Sequence, residues 1–208
     1  MSNTTETAIK RTTGTSLNIR TVAGIGVLAA AAFVLQMIEI GLPFMPAFIK
    51  FDFSDLPALI GAFSLGPVSG VFIELIKNIL HTMDSGSFGV GELSNFLLGA
   101  VFVGTAGVIY GKMRSKKGAL IGSVAGAAAM AIMSVPFNYF IVYPVYYNFM
   151  PEETILGMYQ AILPGVKSIF QSLLCFNLPF TFAKGMADVL ITFLVYKRLS
   201  PLLKGTMR

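Results

Sequence analysis

Long apolar runs separated by short polar or proline-containing breaks dominate the chain. A hydrocarbon core takes roughly 20 helical residues to cross, and on that measure the pattern predicts helices over residues 21–40, 56–65, 68–83, 93–110, 119–133 and 167–199. The breaks have physical causes. Pro43 and Pro46 force an extended loop after the first helix, and Gly66-Pro67 separates the second from the third. A polar, glycine-rich segment fills 81–91, and Pro136 precedes an aromatic run at Tyr143, Tyr146 and Tyr147 that resembles an interfacial belt. A loop with Glu152 and Glu153 leads through Pro164 to the last helix, which Leu178-Pro179 is expected to interrupt. The strict alternation of an outer-membrane barrel is absent. The expected fold is an all-α membrane protein, a bundle of six transmembrane helices.

Composition agrees. The chain is 55% hydrophobic and 12% charged, against about 25% charged residues in soluble domains. Its net charge of +5 would suit a nucleic-acid partner, but the cations cluster beside apolar segments. Lys10, Arg11, Arg20, Lys112, Arg114, Lys116, Lys117, Lys197, Arg198, Lys204 and Arg208 hold most of the fifteen Lys and Arg. All fall on one side of a six-span bundle, which by the positive-inside rule makes both termini cytoplasmic. The expected organisation is a cytoplasmic tail over 1–20, a membrane domain over 21–200 and a second cytoplasmic tail over 201–208.

Polar groups within apolar runs need partners or water, so the stretch 50–59, with Lys50, Asp52 and Asp55 before Pro57, draws attention first. Topology puts it on the outer face with the aromatic end of the fifth helix and the upper part of the sixth. Asn138, Asn177, Thr181 and Lys184 converge there with several Phe and Tyr residues, a set suited to a planar heteroaromatic ligand with an amide-like edge. For any one of these residues, bundle packing with satisfied polar groups is the better account; the ligand reading rests on the set. Lys184 and Asp188, at i,i+4, have the spacing of a simple pair. Glu74 and Lys77 read as a structural ion pair, and His81, without a second ligand, as an interfacial residue with no metal. Asp55 is placed to cap the second helix, and the role of Asp52 stays open. In the first helix Gly26 and Ala30 have the small-xxx-small spacing that lets helices approach closely, within the bundle or towards another protein.

The stretch 50–59, followed by Gly61, Gly66-Pro67, Glu74, Lys77, Asn78 and His81, resembles the signature region of the riboflavin-binding S components of energy-coupling factor (ECF) transporters. The likeness covers nearly the whole chain. It implies a bacterial plasma-membrane protein that captures riboflavin from outside, FMN being possible. It also implies delivery with a transmembrane T component and two cytoplasmic ATPases. By the same resemblance, the ligand-binding residues are Pro46, Ala47, Phe48, Ile49, Lys50 and Phe51 of the gating loop, then Asn138, Asn177, Thr181 and Lys184. The family's Asn-x-x-Lys pattern reads Thr181-Phe182-Ala183-Lys184 here, with Asn177 one turn earlier. The T-component contact falls on Gly26 and Ala30, with Ala29 and Ala32 as rivals.

No G-x-x-x-x-G-K-[ST] sequence occurs, so the chain has no such ATPase site of its own. With one His and one Cys it shows no nucleophile–base constellation, catalytic residue or metal site, and no cofactor is expected beyond the transported ligand. The alternatives are an S component for another vitamin, such as thiamine or pantothenate, and a membrane scaffold or sensor that moves no solute.

Overall fold

The computed structural model describes residues 18–205, with side chains to residue 194. The described residues are mostly helical. α1 (Ile19–Gln36) starts at Asn18, whose side chain accepts the Arg20 N–H, and ends before a small antiparallel hairpin of β1 (Ile40–Gly41) and β2 (Lys50–Phe51). α2 (Asp55–Ser64) and α3 (Pro67–His81) follow, joined at Gly66, whose φ of 104° only glycine adopts readily, with Pro67 at the first helical position. α4 (Val90–Met113) and α5 (Lys116–Phe137) form the next hairpin, α5 being capped by Ser115 accepting the Gly118 N–H.

Beyond α5 the rod continues without interruption through a π turn at Asn138–Val142 into α6 (Tyr143–Tyr146). α7 (Glu152–Gln160) is short. The final rod runs through α8 (Ile169–Ser172), a second π turn at Leu173–Asn177, and α9 (Leu178–Gly205). Four rods, Ile19–Gln36, Val90–Met113, Lys116–Tyr146 and Ile169–Leu194, are long and apolar enough to cross a membrane.

Glycines set how closely the helices approach. A Cβ on Gly126 would lie 2.5 Å from the Phe102 carbonyl oxygen and one on Gly122 2.7 Å from that of Ala106, so α4 and α5 meet backbone to backbone. One core gathers Ala29, Ala32, Leu59, Ile73, Phe102, Ala127 and Met130 from α1 to α5. A second, at the hairpin end, gathers Val90, Val142, Tyr143, Ile155, Tyr159, Ile169 and Leu173.

Several expectations change. The helix placed at 119–133 runs on to Tyr146, and Pro179 does not interrupt the last rod. Each π turn ends two residues before a proline, Val142 before Pro144 and Asn177 before Pro179; the wider turn absorbs the missing N–H and the ring, which a regular α turn would not. α7 stands where the sequence predicts a loop, and the extended segment after α1 pairs as two short strands within an otherwise helical fold. The tails expected over 1–20 and 201–208 lie outside the described residues except for 18–20 and 201–205.

Candidate ligand-binding site

The hairpin loop folds on itself through the Met45 N–H donating to Leu42 O (3.0 Å) and the Ile49 N–H to Pro46 O (2.9 Å). Its end is tied down on both sides. Lys50 pairs with Glu39, and Phe51 packs edge-on against Phe53 and against Phe180 of α9, with ring centroids 5.0 and 6.3 Å apart. Asp52 follows, 3% exposed, its Oδ1 accepting the Ser54 N–H at 2.8 Å.

Behind the loop lies a buried ion network. Lys77 of α3, 0% exposed, pairs with Asp55 and with Glu74 (2.8 Å), and donates to Ser54 Oγ (2.7 Å). Lys184 of α9 donates to Asp52 Oδ2 at 3.1 Å and lies 3.5 Å from Asp55 Oδ2. A buried charge is tolerated only with such pairing, so the network welds α2, α3 and α9 at one level. Glu74 fits because Gly99 of α4 is bare: a Cβ there would meet Glu74 Oε2 at 2.3 Å.

The Glu74–Lys77 pair is therefore as expected. Asp55 does not cap α2: it is the first residue of the helix and spends its carboxylate on the two lysines, while Ser54 holds the cap position. Lys184 does not pair with Asp188, whose oxygens lack hydrogen-bond partners among the described residues. His81 is buried, not interfacial, and its Nδ1 lies 2.9 Å from Glu92 Oε1.

Each π turn supplies an asparagine. Asn138 opens the first, its amide donating back to Ser134 O (2.7 Å) and its Oδ1 accepting from Ser94 Oγ (3.0 Å). Asn177 closes the second, and its Oδ1 accepts from the Tyr159 hydroxyl at 2.8 Å, which is 2.5 Å from that of Tyr143. Burial pushes the Tyr159 phenol well above its ordinary value, so it stays a neutral donor. Tyr159 was missed in the sequence because the segment carrying it read as loop.

These groups surround a cavity beneath the loop. Phe48, Ile49, Leu98, Met130, Val142, Tyr143, Tyr146 and Phe180 give it apolar and aromatic walls, while Ser94, Asn95, Asn138, Asn177, Thr181, Lys184, Lys50 and Asp55 give a polar edge. The cavity thus gathers Phe48, Ile49, Lys50, Asn138, Asn177, Thr181 and Lys184. It does not gather three residues of the loop: Pro46 is a buried turn residue, Phe51 packs outside against Phe180, and Ala47 borders a neighbouring polar cavity with Gln36, His81 and Glu92. In α1, Gly26 and Ala30 are exposed, whereas Ala29 and Ala32 are buried in the core and present no outer surface.

Spanning helices around a cavity with aromatic walls and a short edge of amide, hydroxyl and paired charged groups define a membrane-embedded binder of one small molecule. Comparison with known proteins narrows the class. The family model for the ECF transporter, substrate-specific component, matches residues 20–196, and the chain belongs to this family. It is 34% identical to riboflavin transporter RibU of Staphylococcus aureus (strain TCH60), over 86% of this chain and 90% of that protein. It is 30% identical to riboflavin transporter FmnP of Bacillus subtilis (strain 168), over 89% of this chain and 94% of that protein. A solved structure described as "Structure and mechanism of the S component of a bacterial ECF transporter" superposes with a TM-score of 0.71 at 34% identity, covering 89% of this chain and 98% of the other.

Proposed function

We propose that the protein captures riboflavin at the hairpin end and passes it inward as the substrate-binding subunit of an ECF transporter in a bacterial plasma membrane. The observation that carries this reading is the cavity itself. Its walls are flat and apolar, and the groups on its polar edge match an amide-like ring edge and a hydroxylated chain. The names of the relatives support the same ligand.

In this reading the isoalloxazine lies among Phe48, Val142, Tyr146 and Phe180, and Asn177, Thr181 and Lys184 answer its polar edge. Thr181 offers one hydroxyl where the family pattern has an asparagine, and Asn177, adjacent on the cavity wall, supplies the amide. FMN, with the same ring system, is the second candidate, since Lys184 on the cavity wall would also attract a phosphate.

The bundle spans the membrane six times, α2 and α3 forming a short pair within it, and both termini are cytoplasmic. A T component and two ATPases supply the energy, the T component seated on the exposed Gly26 and Ala30 of α1. Absorbance of the purified protein tests the ligand: flavin bands that survive washing, or appear on adding riboflavin, are expected. A colourless protein that ignores added riboflavin would overturn the reading.

A further inference from the structure

Asp52 lies outside the ligand cavity, on the wall of the neighbouring polar one, and Ser54, not Asp52, holds the cap position of α2. The Asp52 carboxylate is buried, two residues after the last loop residue facing the cavity, and it bridges two elements. Oδ1 holds the Ser54 N–H at 2.8 Å, and Oδ2 takes the Lys184 ammonium at 3.1 Å from 132 positions away. An ammonium has three N–H donors. Asp52 takes one, Asp55 at 3.5 Å engages a second, and Lys184 lines the cavity, leaving the third for a ligand.

We propose that Asp52 is a positioning residue: it fastens the loop over the cavity to α9 through Lys184, and in doing so aims the ammonium that the ligand meets. The part concerning the ligand rests on the riboflavin reading; the fastening does not. The neighbouring Phe51–Phe180 contact gives the loop a second, apolar attachment, so loss of Asp52 loosens the loop without freeing it. One cation then serves both the cover and the ligand, and the two are coupled through it.

Asp52→Asn is a conservative probe, because its side-chain oxygen can still accept from Ser54 while the charge is gone. The test compares wild type, Asp52→Asn, Lys184→Met and the double variant in detergent. The double variant removes both charges and so buries neither unpaired. Hydrogen–deuterium exchange of residues 46–51 without ligand, and the dissociation rate of riboflavin, are read for each.

Each single variant is expected to raise exchange in 46–51 by roughly tenfold or more, the scale of one lost charge-assisted bond, while exchange in α4 and α5 is unchanged. The double variant is expected to show no more than either single change. Riboflavin should leave Asp52→Asn on the order of tenfold faster. Wild-type exchange in Asp52→Asn, or a double variant whose effect is the product of the two singles, would overturn the proposal. If the exchange results hold but wild type retains no riboflavin, the ligand reading falls and the fastening stands. If riboflavin is retained and exchange does not respond, the fastening alone is wrong.

Discussion

Replacing Lys77 with Met separates the structural lysine of the buried network from the one that faces the ligand. Lys77 is fully enclosed and holds Asp55, Glu74 and Ser54. Without it Asp55 keeps Lys184 at 3.5 Å, but Glu74, 0% exposed and packed on the bare backbone of Gly99, has no cation. Breaking a buried pair by removing one partner costs about 3–5 kcal/mol. For a chain of this size, at roughly 2–4 °C per kcal/mol, that is a fall of about 6–20 °C in melting temperature.

The same reasoning gives a second result. Lys77→Met combined with Glu74→Met removes both charges and fills the space with apolar atoms, so most of the loss should be recovered. The assay is thermal unfolding in detergent without ligand, followed by a fluorescent thiol or scattering probe. If Lys77→Met melts within about 2 °C of wild type, or the double variant melts below the single one, the ion network does not hold these helices together.

Tyr159→Phe removes the hydroxyl that Asn177 Oδ1 accepts and should cost about 1–3 kcal/mol in chemical denaturation. It should also flatten the alkaline limb of stability. The folded phenol is pushed above its ordinary 10.0, so above about pH 10 the unfolded chain loses a proton that the folded chain keeps, and stability falls as pH rises. Gly126→Val places a side chain against the Phe102 carbonyl, where a Cβ would already lie 2.5 Å away, and should lower stability by about 1–3 kcal/mol. Gly157→Ala, where a Cβ meets nothing within 4 Å in α7, should be neutral or gain about 0.4–1 kcal/mol in the same denaturation series. Gly26→Leu, on the exposed face of α1, should block co-purification with the ECF partners while leaving riboflavin binding intact; loss of both would make that face part of the bundle.

Hydropathy was enough to find the rods, because burial in lipid requires a continuous apolar run whatever the tertiary contacts. It was not enough to find where they bend. Pro136 and Pro179 read as breaks because proline usually ends a helix, yet the rods continue past both, and two π turns, each ending two residues before a proline, set Asn138 and Asn177 on the cavity wall. α7 escaped because nine residues beginning Glu152-Glu153 lack the length and apolarity of a span, and Tyr159 went with it.

The polar residues were legible as a set but not as pairs. Lys77 meets Asp55 across 22 positions and Lys184 meets Asp52 across 132, contacts that no local spacing encodes. Local rules therefore favour a cap for Asp55 and offer Asp188, at i,i+4, as an alternative partner for Lys184. Tertiary proximity gave both groups to other residues, since a buried charge gains more from an opposite charge than a helix end gains from a cap.

The most direct test of the account is equilibrium dialysis of the purified protein against riboflavin, thiamine and pantothenate together. Retention of riboflavin alone, at one molecule per chain and weakened by Lys184→Ala, is the predicted result. Retention of thiamine or pantothenate in its place, or riboflavin retention that Lys184→Ala leaves unchanged, would contradict the assignment of this cavity.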